Sequence, residues 1–166
     1  MALNAYLTLR GARQGVMQGS VTQKGREGQI AIIAVSHEVV SPRDPASGLP
    51  TGRRQHKPFV LTKELDVSSP KLAAALADNE NLTSFVLRFW RPTLVGGVAG
   101  AEQQYYTVTL TNANVASIRV EMLNNKYPEN TNLAVREHVA FTYQRIEWTW
   151  MDGGITSQDD WESPAQ

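Results

Sequence analysis

The chain has 166 residues, 16 basic and 16 acidic side chains, 42% apolar residues and no cysteine. A balanced charge supplies no field to draw the molecule toward nucleic acid or an anionic membrane, and the missing cysteines exclude a disulfide framework and thiolate sites. One domain of this size buries roughly 70% of its extended surface, enough for a core without staples. The opening MALNAYLTLRGARQG has neither a basic leader nor a long apolar run, so no signal peptide is expected, and no stretch reaches the length of a membrane-spanning helix.

Alternation with a period of two dominates the chain. Leu3, Ala5, Leu7 and Leu9 share one face of a first strand. Residues 28–40, GQIAIIAVSHEVV, are almost continuously apolar and β-branched, which predicts a strand covered on both faces. Residues 41–58, SPRDPASGLPTGRRQHKP, hold four prolines and two glycines and predict an extended loop, longer than an ordinary connection. The following strand puts Phe59, Leu61 and Leu65 in phase. Lys63 shares that phase while Glu64 and Asp66 oppose it, so a continuous strand would keep these charges apart.

ELDVSSPKLAAALA predicts the one helix. Pro70 suits the first helical position, Ser69 then becomes the N-cap, and Leu72, Ala73, Leu76 and Ala77 form an apolar stripe. Further strands follow at Phe85, Leu87 and Phe89, at Tyr106, Val108 and Leu110, and at Ile118, Val120 and Met122. The segments 92–104 and 124–137 between them read as loops. In EHVAFTYQRIEWTWMDGG, Val139, Phe141 and Tyr143 occupy one phase and Ile146, Trp148 and Trp150 the other. That places a bulge or corner near Gln144–Arg145. About seven strands, one flanking short α-helix and long loops, with a tail at 152–166, make a mainly β single domain over 1–166. The expected architecture is an all-β barrel or sandwich carrying a helix, with the Gln144–Arg145 corner bending a sheet toward closure.

Few residues suggest chemistry. Ser68 and Lys71 match the S-x-x-K spacing of serine–lysine hydrolases, yet neither K-T-G nor S-D-N accompanies them, and a helix start explains every residue. His37, His56 and His138 lack metal-ligand spacing, and Asp152, Asp159 and Asp160 lack that of a calcium loop. VGGVAG lacks the ending of a phosphate loop. Arg53, Arg54 and Lys57 form a basic patch without aromatic interleaving, which favours a protein-facing loop over nucleic acid. Trp148, Trp150 and Trp161 leave a small-ligand barrel open as an alternative. No enzyme, cofactor or metal is expected.

GSVTQKGREGQIAIIAVSHEV, TGRRQHKPFVLTKELDVSSPKLAAAL, LTNANVASI, EHVAFTYQRIEWTWMDGG and DDW together resemble the haemolysin-coregulated protein (Hcp) family of bacterial type VI secretion systems, almost end to end. The resemblance implies a closed or nearly closed antiparallel β-barrel of two packed sheets with one flanking short α-helix, which forms homohexameric rings. Rings of that family stack into the inner tube of a contractile injection machine, hold effector proteins in the lumen, and leave the cell with the spike. The implied partners are other copies of the chain, effectors, and the spike and sheath proteins, with no nucleic acid and no membrane insertion. The implied route runs from the bacterial cytoplasm to the exterior or a target cell without Sec. Relatives with a toxin domain carry it at the C-terminus, whereas this sequence stops shortly after Trp161 and reads as the plain tube subunit. Arg43, Arg53, Arg54, Lys57, Lys63, Asp66, Trp148 and Trp150 are the candidate subunit or ring contacts, and Ser36 is the candidate lumen residue.

Overall fold

The computed structural model describes residues 3–93 and 101–162. Alternating apolar residues produce β1 (Asn4–Gly11), β2 (Gly15–Met17), β3 (Ile30–Ile32), β4 (Ala34–Ser36), β5 (Val39–Val40), β6 (Gln55–His56) and β7 (Phe59–Glu64). After α1 (Ser69–Ala77) come β8 (Leu82–Pro92), β9 (Glu102–Thr111), β10 (Asn114–Glu121), β11 (Arg136–Thr142), β12 (Arg145–Trp150) and β13 (Ile155–Asp160). All pairings are antiparallel.

A seven-stranded sheet runs β13-β12-β9-β8-β1-β2, with β3 also paired to β1, and a four-stranded sheet runs β10-β11-β7-β4. Their facing sides make one core. Leu7, Leu9, Phe85, Leu87, Val108, Leu110 and Ile146 of the larger sheet meet Phe59, Leu61, Val115, Val139 and Phe141 of the smaller. Phe85 stands edge-on to both Phe59 and Phe141, with ring centroids 5.8 and 5.0 Å apart, a geometry favoured by the aromatic quadrupole. α1 packs Leu72 and Ala75 into this core beside β10. A nine-residue helix holds its shape only through such docking.

Three corners carry the chain from one sheet to the other. The run 28–40 is not one strand. Ile30 and Ile32 pair with β1, then Ile33 donates its N–H to the Thr62 carbonyl at 2.8 Å, and β4 continues along β7. Its continuous apolarity serves two sheets in succession, and Ala34, Val35 and Ser36 end exposed. Asn112, at φ 51°, turns the chain from β9 to β10. The phase change at Gln144–Arg145 is the third corner, between β11 and β12.

The segment 41–58 is better ordered than its prolines suggest. β5 and β6 pair as Val39↔His56 and Val40↔Gln55, Lys57 N donates to the Glu38 carbonyl, and Arg43 bridges Pro50 nearer the tip. It is a long hairpin. The expected face of Ile118, Val120 and Met122 holds only in part. A register shift between Val115 and Ser117 lets Val115 and Ile118 both touch the core, while Val120 and Met122, farther along the same strand, are exposed. The expected loop tip within 92–104 falls mostly on residues outside those described.

Candidate functional site

Lys63 lies on the inward face of β7, as its phase requires, and its side chain is only 1% exposed. A buried ammonium must be compensated. Its Nζ lies 2.5 Å from Glu137 Oε1 and 2.9 Å from Asp66 Oδ1, and it also donates to the Glu64 carbonyl and to Ser69 Oγ. β7 ends at Glu64, so the chain has already turned when it reaches Asp66, and the two charges converge where a continuous strand would separate them. Glu137 sits opposite Lys63 in the β11–β7 register. Burial raises the pKa of the Asp66 carboxyl, but hydrogen bonds from Ser68 and Lys63 outweigh it and hold the group below the usual range.

This cluster also rewrites the helix start. α1 begins at Ser69, Ser68 takes the N-cap position, and neither makes a side-chain cap. Ser69 Oγ instead accepts the Asp66 N–H at 3.0 Å and donates to Glu137 at 2.7 Å. Pro70 lies second in α1, one place later than expected, still in the first turn where its missing N–H costs nothing. Ser68 is fully buried, and its hydroxyl donates to Asp66. A substrate cannot reach it, and no hydrogen bond joins it to Lys71, so the S-x-x-K match carries no nucleophile.

Two further polar networks tie distant segments. Arg26 lies 3.8 Å from the Trp90 ring centroid and 4.9 Å from that of Tyr6, and donates to Glu102 at 2.5 Å. This braces the 18–29 segment against β8 and β9. At the base of the β5–β6 hairpin, Arg54 pairs with Asp159, and His56 bridges Asp159 at 2.7 Å and the Tyr143 hydroxyl at 2.8 Å. Of the candidate contacts, Arg43, Arg53 and Lys57 stand exposed on the hairpin, whereas Arg54 points inward to β13. Trp148 packs on the core, and Trp150 is exposed beside Tyr105 and Arg91. The three tryptophans do not converge on a pocket. Among the described residues no group of three or more His, Cys, Asp or Glu side chains is placed to hold a metal ion.

The solvent side of the four-stranded sheet forms a distinct surface. Register places Ser36, Val60, Ala140 and Ser117 in one row across it, and Ala34, Thr62, His138 and Arg119 in the next. Small and polar side chains fill the middle, and Glu64, Arg136 and Glu121 form a charged margin.

Comparison with known proteins decides the family. Residues 6–150 match the model described as "Type VI secretion system effector, Hcp". The chain belongs to the Hcp family. It is 39% identical to the "Major exported protein" of Pseudomonas aeruginosa, with 99% of each chain covered. Its fold is similar to a crystal structure of an Hcp protein, with a TM-score of 0.88 at 28% identity, covering 98% of this chain and 100% of the other. The secreted protein Hcp3 of Pseudomonas aeruginosa gives a TM-score of 0.77 at 31% identity, over 98% and 100%. As an Hcp protein the chain is a structural, exported subunit of the type VI secretion tube, assembled with its own copies into hexameric rings, and not an enzyme. The mainly β fold with one flanking helix and two packed sheets agrees with the sequence-based expectation.

Proposed function

We propose that this Hcp subunit assembles in the bacterial cytoplasm and carries small effector proteins against the Ser36 face of its four-stranded sheet, which lines the ring lumen. It then leaves the cell without Sec, together with the spike, by the action of the sheath. The observation that carries the reading is the composition of that face. Ser36 and Ser117 are exposed and carry short hydroxyl side chains, and Ala34, Val60, Ala140 and Thr62 between them keep the face low, a surface suited to holding varied folded cargo loosely. Larger exposed apolar side chains lie elsewhere. Leu3, Ile33, Leu65 and Val67 are exposed near the β3–β4 corner and the β7–α1 turn, a pattern that marks a surface covered by a permanent neighbour. Arg43, Arg53 and Lys57 on the β5–β6 hairpin are the proposed ring-to-ring contacts, with Trp150 a subunit contact.

The absence of cysteine provides the test. A Ser36→Cys variant places a single thiol on the proposed lumen wall. In assembled tubes it should react with a small maleimide and resist one carrying a bulky polymer, and dispersal of the tubes should remove that difference. Equal reaction with the bulky reagent before and after dispersal would contradict the assignment.

A further inference from the structure

Five side chains form a continuous hydrogen-bonded chain at the base of the β5–β6 hairpin. His37 Nε2 lies 2.7 Å from the Tyr143 hydroxyl, that hydroxyl lies 2.8 Å from His56 Nδ1, His56 Nε2 lies 2.7 Å from Asp159 Oδ2, and Arg54 pairs with the same carboxylate. Arg54 also donates to the Asp160 carbonyl at 2.8 Å. His37 precedes β5 and His56 ends β6, whereas Tyr143 belongs to the β11–β12 corner and Asp159 to β13. The network therefore joins the hairpin to the body and to the C-terminal β12–β13 hairpin. The His56 side chain is 2% exposed and Tyr143 is buried.

With both rings neutral, one proton arrangement satisfies every contact. His56 Nε2–H donates to Asp159, which leaves Nδ1 to accept from Tyr143, whose oxygen accepts Nε2–H of His37. Second protons on both rings upset it. A new Nδ1–H on His56 donates to the Tyr143 oxygen and turns that hydroxyl toward His37 Nε2. Once His37 also carries two protons, both rings aim N–H groups at one oxygen and the Tyr143 hydrogen loses its acceptor. On His37, the charge would be half buried and would lie beside His56, with Asp159 beyond both. The other charged groups nearby do not relieve it: Arg54 is already paired with Asp159, Glu38 and Lys57 are exposed, and Asp160 accepts from Gln144. Burial, and then the nearness of His56, hold the His37 pKa below its ordinary value.

We propose that His37, Tyr143, His56, Asp159 and Arg54 form an acid-released latch, which holds the base of the β5–β6 hairpin on the body at neutral pH and frees it when the imidazoles are protonated. Release would alter the contacts that the hairpin makes with a neighbouring ring, a consequence that rests on the function proposed above.

Hydrogen exchange of the assembled full-length protein, corrected for the intrinsic pH dependence of amide exchange, tests the latch. Peptides covering 38–57 and 155–160 should lose about tenfold in protection between about pH 7.5 and about pH 5, while β8 and β9 keep theirs. His37→Gln retains a donor to Tyr143 and cannot become cationic, so it should blunt that loss. Tyr143→Phe should give low protection of 38–57 at both pH values with β8 and β9 unchanged. Equal protection of 38–57 at both pH values in the parent, or an undiminished acid response in His37→Gln, would overturn the latch. Sedimentation of the same samples reports stacking separately, so a failure of the hairpin's assembly role remains distinguishable from a failure of the latch.

Discussion

Lys63 and Glu137 face each other across the β7–β11 ladder at 2.5 Å with both side chains sealed from water. Each is a liability alone, and the pair joins the end of β7, the turn at Asp66 and the first residue of α1 into one unit. Lys63→Ala should therefore destabilise the fold by about 3–5 kcal/mol, because it leaves a buried carboxylate uncompensated. Replacing Lys63 and Glu137 together with Met and Leu should cost much less. Urea unfolding at fixed protein concentration, run as a double-mutant cycle, measures both. A Lys63→Ala variant with an unchanged midpoint would contradict the arrangement.

Ser69→Ala should cost about 1–2 kcal/mol through the lost bonds to Asp66 and Glu137 rather than through a helix cap. Ser68 should form no adduct with an acylating active-site probe, since its hydroxyl is buried and given to Asp66. Labelling of Ser68 in the folded protein would reopen the hydrolase reading.

Gly19→Ala tests the 18–29 segment. An added Cβ would lie 2.4 Å from the Gln29 carbonyl oxygen and 2.7 Å from Ile30 Cα, both backbone atoms that cannot step aside cheaply. The expected cost is about 1–3 kcal/mol, the range for forced overpacking, read as a lower unfolding midpoint. Gly52→Ala, with open space around its Cβ position, is the control and should be nearly neutral.

Stability should respond to acid in two stages. His37 is held below its ordinary value of 6.5, so its contribution is complete above that pH and is lost as pH falls through the lower, folded value. The carboxyls follow. Glu80 is held below 4.5 by the Gln14 side chain, which outweighs its burial, and by the Gln14 and Arg13 N–H groups. Asp66 is held below 3.8, so both contribute above those values and lose their contribution below them. Thermal unfolding as a function of pH should show a shallow decline below about pH 6.5 and a steeper one below about pH 4.5. His37→Gln should remove the first stage alone.

Much of the architecture was legible because alternation reports a half-buried strand directly, as at Leu7–Leu9, Phe85–Leu87 and Val108–Leu110. Corners were harder. The apolar run 30–36 looks like one strand, yet only Ile30 and Ile32 are buried, on the larger sheet, and the exposed residues 33–36 pass to the edge of the smaller one. The inward phase of Lys63 was readable, whereas its partner Glu137 is 74 residues away and required the fold. The same holds for Tyr143 and Asp159 around His56. Arg54 and His56 read as parts of a free loop, yet both are pinned to the body.

That pinning separates the tip of the hairpin from its base. Removing the tip, residues 43–53, while sparing Arg54 and His56 should leave the unfolding midpoint within error and weaken ring stacking, seen as shorter tubes by sedimentation. A deletion that also removes Arg54 and His56 should lower stability as well. Undiminished stacking after removal of the tip would end its assigned role.

Ring assembly is the property on which the function of this subunit depends. Electron micrographs of the purified chain, with sedimentation of the same sample, should show six-membered rings with an open centre that stack at higher concentration. A strictly monomeric species at high concentration would contradict it.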